Sequence, residues 1–455
     1  MVVHPSDASS TEAAITAYLH ALAPRPRSII DTGLSQTFIA DLLSKHLLDG
    51  GALTMSQLTK RLALSGKILE SITHYMRAQA RIEVLAPSES ETEIRYQLTE
   101  RGRNGALDAL LRGGYVGPAP VILHDYAKIV REQTVHERAI TQDAMRRAFD
   151  GIVLSTHLLD QLGPSLNSGR AIFVYGPAGT GKTYIAQKLR GLFRDRVLIP
   201  HAIAINETVI EIFDPILHQV IDAQREPNGQ QDLMLDAGHD PRYLCCERPI
   251  VLTGGELTID MLEVQYDAST RSYRAPLQLK ANNGLFMIDD MGRQKAPPEA
   301  IFNRWIVPME EKSDYLSLGS GRHFTVPFDV VLIFSTNMHP LDLADEAFLR
   351  RIGYKVEFNY LTKDQYREIW KDVCREYGVV FDADILEFVL TELHEKESVK
   401  LLPCHPRDLL GMAVDLVTYL DEPRRLNKAQ LRWAWNSYFV SLKQDDGGLR
   451  RNQEF

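Results

Sequence analysis

The densest chemical signal in the chain is Gly176-Pro177-Ala178-Gly179-Thr180-Gly181-Lys182-Thr183. It is a full match to GxxxxGK[ST], set between the apolar run AIFVY and the amphipathic stretch YIAQKLRGLF. Glycines let backbone N–H groups converge on phosphate oxygens, and a helix opening there adds the positive end of its dipole. Lys182 can reach the β and γ phosphates, and the Thr183 hydroxyl can bind Mg²⁺. This is chemistry for gripping a nucleoside triphosphate. A second element, Gly284-Leu285-Phe286-Met287-Ile288-Asp289-Asp290, is an apolar run that ends in two carboxylates. Asp289 is placed to hold Mg²⁺ through water, and Asp290 to orient or activate the attacking water.

Such groups need a scaffold that brings them to one edge. Apolar runs at 171–175, 196–205 (RVLIPHAIAI), 285–288, 330–334 and 354–358 alternate with amphipathic helices. Continuous apolar runs read as strands covered on both faces, hence a parallel α/β sheet. From about Leu361 to Tyr438 the period is helical, as in a small lid-like bundle.

The whole chain, 455 residues, is long enough for about three structural units. With 44% hydrophobic and 24% charged residues it is globular in composition, which excludes a mostly disordered, collagen-like or coiled-coil chain. A net charge of −9 excludes a generally cationic nucleic-acid coat, so any DNA contact is a local patch. No repeat of fixed period is visible. The four cysteines form no CxxC pair and read as reduced thiols of a cytoplasmic protein. The first residues lack a signal-peptide pattern and the longest apolar runs are strand-sized, so no membrane association is expected.

Residues 1–34 read as a polar, partly mobile lead. Helical spacing begins at Ser35, a second helix near Thr54 and a third near Ser65, followed by two strand-like runs around the polar tip SESETE. This order, with Leu98, Thr99, Gly102 and Arg103 at its end, resembles a winged-helix domain over Leu34 to Arg112. Lys60, Arg61, Lys67, Arg77 and Arg81 against Glu70 permit a major-groove helix, while Glu83, Glu89, Glu91 and Glu93 on the wing oppose phosphate contact. DNA binding and protein docking are both open readings.

The larger part, from about Asp143 to Tyr438, resembles the AAA+ ATPases. Ser335-Thr336-Asn337 is similar to the family's sensor 1, which puts Asn337 between the acidic pair and the γ-phosphate. The stretch from Asp345 to Ile352 resembles the helix that presents an arginine finger to a neighbour's ATP, so Arg350 or Arg351 fills that role. The segment from Leu402 to Gly411 resembles sensor 2 and implies Arg407 over the γ-phosphate. Ile152 and Val153 are implied at the adenine, and Asn206 either holds the water-activating acid or caps a strand. Two insertions, a hairpin around DASTRS and another around Gly319 to Arg322, are similar to the helix 2 insert and pre-sensor 1 hairpin of the MoxR-like and enhancer-binding branch. They either face a ring pore or partner, or merely extend the sheet.

The expected class is therefore α/β, a P-loop AAA+ parallel sheet with a helical lid preceded by a winged-helix domain. The expected segments are 1–34 (lead), 35–114 (winged helix), 115–142 (linker and helix), 143–360 (ATPase) and 361–455 (lid and tail). The resemblance implies a hexamer-like homo-oligomeric ring, with ATP and Mg²⁺ as ligands, that hydrolyses ATP to ADP and phosphate and remodels a protein or nucleoprotein partner. One departure stands out: Asp290 occupies the place of the family's usual Glu. The shorter side chain pulls the carboxylate back by about 1 Å, a misplacement able to cost on the order of a hundredfold in rate unless the backbone compensates. An ATP-gated binding switch with little turnover is the alternative.

Overall fold

A computed structural model describes residues 15–439, except 16, 86–92, 138, 194, 222–237 and 320. Five strands form one wholly parallel sheet, in the spatial order Ile250–Thr253, Gly284–Ile288, Val330–Thr336, Ile172–Tyr175, Tyr354–Glu357. Alternate residues of a strand point to opposite faces, so each strand feeds two cores. Phe173, Phe286, Ile288, Leu332 and Phe334 pack with Phe302, Trp305 and Phe348 on one face. Ile172, Val174, Leu285, Met287, Val331 and Ile333 pack with Leu162, Leu166, Ile185 and Leu189 on the other.

Four of the five expected strands belong to this sheet, and RVLIPHAIAI does not. It breaks at Pro200 and His201 into Arg196–Pro200, which pairs antiparallel with Tyr243–Glu247, and Ala202–Ile205, which pairs antiparallel with Thr208–Glu211. One edge strand of the parallel sheet is instead Ile250–Thr253, where Leu252 is 38% exposed.

Ala202–Ile205 lies in a second sheet, ordered Gln265–Asp267, Ser272–Arg274, Thr208–Glu211, Ala202–Ile205, Val121–Ile122. The DASTRS hairpin is present, and it extends this sheet. Its tip is docked: Arg271 O accepts from Gly114 N at 2.9 Å, and a Cβ on Gly114 would lie 1.6 Å from Thr270 O. The second hairpin, Ser313–Ser317 with His323–Pro327, buries Leu316, Leu318, Phe324 and Val326 in the same core as Ile203, Ile210 and Cys246. Both insertions thus share a packed body whose strand Val121–Ile122 comes from the segment read as linker.

Ahead of it, helices Gln36–Gly50, Met55–Leu62, Gly66–Ala78 and Glu100–Arg112 surround a small antiparallel sheet ordered Leu53–Thr54, Arg95–Leu98, Ile82–Leu85. Ser35 and Thr54 cap the first two helices, the latter in a capping box with Gln57. Glu89 and Glu91 of the expected acidic tip lie outside the described residues. The described part of the lead is packed: Leu19 and Ala23 are buried against Val121, Ile129, Leu198, Tyr243 and Cys245. Arg242, held by Asp240 at 2.8 Å, donates to Thr32 O and Pro120 O and ties lead, linker and insertion together.

After Tyr360 four helical segments form the lid. Lys363–Tyr377 starts with a Thr362–Gln365 capping box; Ala383–Phe388 runs on as a π-helix over Val389–Glu395; Cys404–Tyr419 and Lys428–Tyr438 complete it around Tyr366, Trp370, Leu393 and Trp435. No helix among the described residues is long and apolar enough to cross a membrane.

Candidate nucleotide site

Parallel strands deliver their carboxyl ends to one edge, where ligands of open α/β sheets bind. Here that edge carries the glycine-rich loop after Tyr175, Asp289 after Ile288, and Asn337 after Thr336, with the Asn337 strand between the other two. Asn337 is half-buried at that end.

The loop needs its glycines. Gly176, Gly179 and Gly181 have φ of 140°, 80° and 86°, in the range that L side chains avoid. A Cβ on Gly176 would also sit 2.0 Å from Phe358 O, whereas one on Gly181 would meet open space. Thr180 Oγ1 donates to Pro177 O at 2.8 Å and closes the turn among Pro177, Ala178 and Gly179. Lys182 Nζ donates to Gly176 O at 2.8 Å and Pro177 O at 2.9 Å. Burial pushes its pKa down, and the nearby Asp289 and Asp290 carboxylates oppose that shift. The ammonium is thus held over its own loop, in reach of both acids' fields.

Thr183 Oγ1 donates to Asp289 Oδ2 at 2.5 Å, although the two residues are 106 apart in sequence. A hydroxyl and a carboxylate converging beside a lysine are hard oxygen donors of the kind Mg²⁺ takes. The ion characteristically uses one or two carboxylates, keeps several waters and takes its other oxygens from phosphate. No cluster of three or more His, Cys, Asp or Glu able to hold a metal occurs among the described residues, and Mg²⁺ of this kind requires none.

A cavity of about 400 Å³ opens between Ile152 and Val153 on one side and Gln365, Glu368, Lys371, Asp372 and Arg375 of the lid on the other. The lid also touches the loop itself, since a Cβ on Gly179 would lie 2.8 Å from Cys404 Sγ.

The arginines separate. Asp345 caps the helix Glu346–Arg351, and the Phe348 ring packs 4.3 Å from Phe302 and 6.0 Å from Phe334 of the sheet. Arg351 is tied to Glu310 at 2.5 Å and to Ala347 O at 3.0 Å. Arg350 is 80% exposed, and its contact to Glu346 is 3.5 Å long. Arg407 Nη2 donates to Glu376 within the lid at 2.8 Å. Asn206 lies in the turn between Ala202–Ile205 and Thr208–Glu211 with φ 54°, in the second sheet. Gln294 is a residue that motif reading missed. It bonds the main chain around Asp289 and Asp290, and nothing in its sequence position signals that role.

The lid wall beside the loop holds two packed histidines, His394 and His405. The His405 ring packs 5.3 Å from His394 and 5.2 Å from Phe439. Val399 O can only accept, so His394 Nδ1 carries its proton and Nε2 accepts from Tyr366 Oη at 3.1 Å. Burial first, and His394 second, push the His405 pKa from 6.5 down to about 4. The folded state therefore resists protonation that the unfolded chain accepts. Stability is whole above pH 6.5 and falls as pH drops toward 4, by up to roughly 3 kcal/mol. Urea unfolding across that range will register the loss, and a His405→Gln chain will show a flatter profile.

A family model described as "Domain of unknown function (DUF8689)" matches residues 362–437, essentially the lid helices. No curated protein matches the chain. Among solved structures, a mutant of RuvB from Thermotoga maritima is similar at 14% identity and TM-score 0.38, over 64% of this chain and 71% of that one. The "RuvB Holliday junction branch migration motor" of the same organism gives 14% and 0.36, over 68% and 73%. NtrX from Brucella abortus in complex with ADP gives 14% and 0.39, over 76% and 69%. The sheet, loop and lid described above make an α/β P-loop fold, and the roles argued below rest on this chain's own side chains.

Proposed function

We propose that this protein is a AAA+ ATPase that binds ATP at Gly176–Thr183, hydrolyses it to ADP and phosphate between copies in a ring, and remodels a protein or nucleoprotein partner. The observation that carries the reading is the convergence of Thr183 and Asp289 beside Lys182 at the carboxyl edge of the sheet. Thr183 and Asp289 would hold Mg²⁺, which when bound neutralises charge on the phosphate oxygens. Loop amides and Lys182 grip the phosphates, and the Ile152–Val153 cavity takes the base. Asp290 prepares the attacking water and Asn337 orients the γ-phosphate. The Arg407–Glu376 pair is 58% and 51% exposed, so breaking it costs about 1 kcal/mol or less when Arg407 turns to the phosphate. The N-terminal domain, in this reading a winged helix, recruits the partner through the exposed Lys67, His74 and Arg77 face of its helix Gly66–Ala78.

Arg350 is the better finger, because it is exposed and weakly held whereas Arg351 is anchored. Turnover per chain should then rise with protein concentration, and Arg350→Ala should lower it by up to about 10³-fold with ATP affinity unchanged. Concentration-independent turnover from a proven monomer would refute the ring reading. Asp290, one methylene shorter than a Glu, favours a second reading: an ATP-gated binding switch with little turnover. A single-turnover assay separates the two, since the switch leaves bound ATP intact.

A further inference from the structure

Asp290 has φ 48°, a left-handed setting that costs a non-glycine residue on the order of 1 kcal/mol and persists only where neighbours impose it. Arg293 N donates to Asp290 O at 3.0 Å and Asp290 N donates to Asp289 Oδ1 at 2.9 Å, and to these Gln294 adds a side-chain clasp. Its side-chain amide donates to Asp289 O at 2.8 Å, to Asp290 O at 3.2 Å and to Gly254 O at 3.4 Å. Its carbonyl oxygen accepts from Gly292 N at 2.9 Å. All four partners are main-chain atoms of the acidic turn or of the loop after the edge strand, and carbonyl acceptors fix which way the amide faces. From the other side, Met291 N donates to Ser335 O at 2.8 Å and Thr336 Oγ1 donates to Met291 O at 2.9 Å. Thr336 also accepts from Met338 N at 3.1 Å, spanning Asn337. The turn is therefore pinned to both neighbouring strands.

We infer that Gln294 is a positioning residue for hydrolysis: it holds the Asp289–Asp290 turn in the left-handed setting that re-aims the short Asp290 carboxylate. It acts through Asp290 and touches no nucleotide. The inference rests on the ATPase reading and explains how that reading survives the departure from Glu.

The test uses the full chain and Gln294→Met, which keeps length and loses every donor, with Gln294→Glu as a second, polar variant that also lacks the donors. Turnover should fall by about tenfold to a hundredfold, while ADP affinity measured without Mg²⁺ stays within about twofold. Turnover within about twofold of the unaltered chain overturns the inference alone, as does an equal loss of Mg²⁺-free ADP affinity, which marks a merely structural role. If the unaltered chain binds ATP without measurable turnover, the gain in ATP affinity on adding Mg²⁺ decides: it should shrink about fivefold or more in the variants, and an unchanged gain overturns the proposal. An unaltered chain that binds no nucleotide removes the ATPase reading and this inference together.

Discussion

A Lys182→Ala chain should lose ATP binding while keeping its fold. The ammonium now donates to Gly176 O and Pro177 O at 2.8 and 2.9 Å, a pair of charge-assisted bonds that a triphosphate would replace with its own oxygens. Hydrogen bonds to charged groups contribute about 1.5–3 kcal/mol each, so losing two weakens ATP by roughly 10²- to 10⁴-fold. The fold should persist, with some loss of stability from the two broken loop bonds, because the loop keeps its glycines and the Thr180 Oγ1 bond to Pro177 O. Titration with a fluorescent ATP analogue and thermal unfolding of the same sample check both halves. Retained turnover in this variant would remove the assignment of the loop.

The second large effect is expected at Asp290. Asp290→Asn keeps size and shape and removes the base, so single-turnover hydrolysis should fall by about 10²- to 10⁴-fold with ATP affinity nearly unchanged. Asp290→Glu is the more discriminating change. A backbone already twisted to φ 48° aims the carboxylate for a short side chain, and an added methylene overshoots by about 1 Å. Turnover should therefore drop in the Glu variant. A rise above the unaltered chain would mean that Asp290 is an impaired base, as the switch reading holds.

The glycine-rich loop and the acidic strand were legible in the sequence because each is a pattern of residue types at fixed spacing next to an apolar run. Neither needs a distant contact to be recognised. RVLIPHAIAI misled for the converse reason: burial on both faces makes any strand apolar, whichever sheet it joins, and only the corner at Pro200 and His201 divides it. Ile250–Thr253 was missed since its apolar run, Ile250-Val251-Leu252, is only three residues long. The hairpins were visible from alternation and turn residues. That the DASTRS tip docks on Gly114 depends on a close backbone approach that no pattern announces. The choice between Arg350 and Arg351 came from what each side chain touches. Gln294 was illegible altogether, because its importance lies in four main-chain atoms held in place by the rest of the fold.

The most direct test of the account is a comparison of ATP, ADP and AMP binding to the full chain by calorimetry in the presence of Mg²⁺. A loop that grips the terminal phosphates through Lys182 and its amides predicts one site per chain for ATP and ADP, with AMP weaker by about a hundredfold or more. Equal affinity for all three nucleotides, or no binding of any, would contradict it.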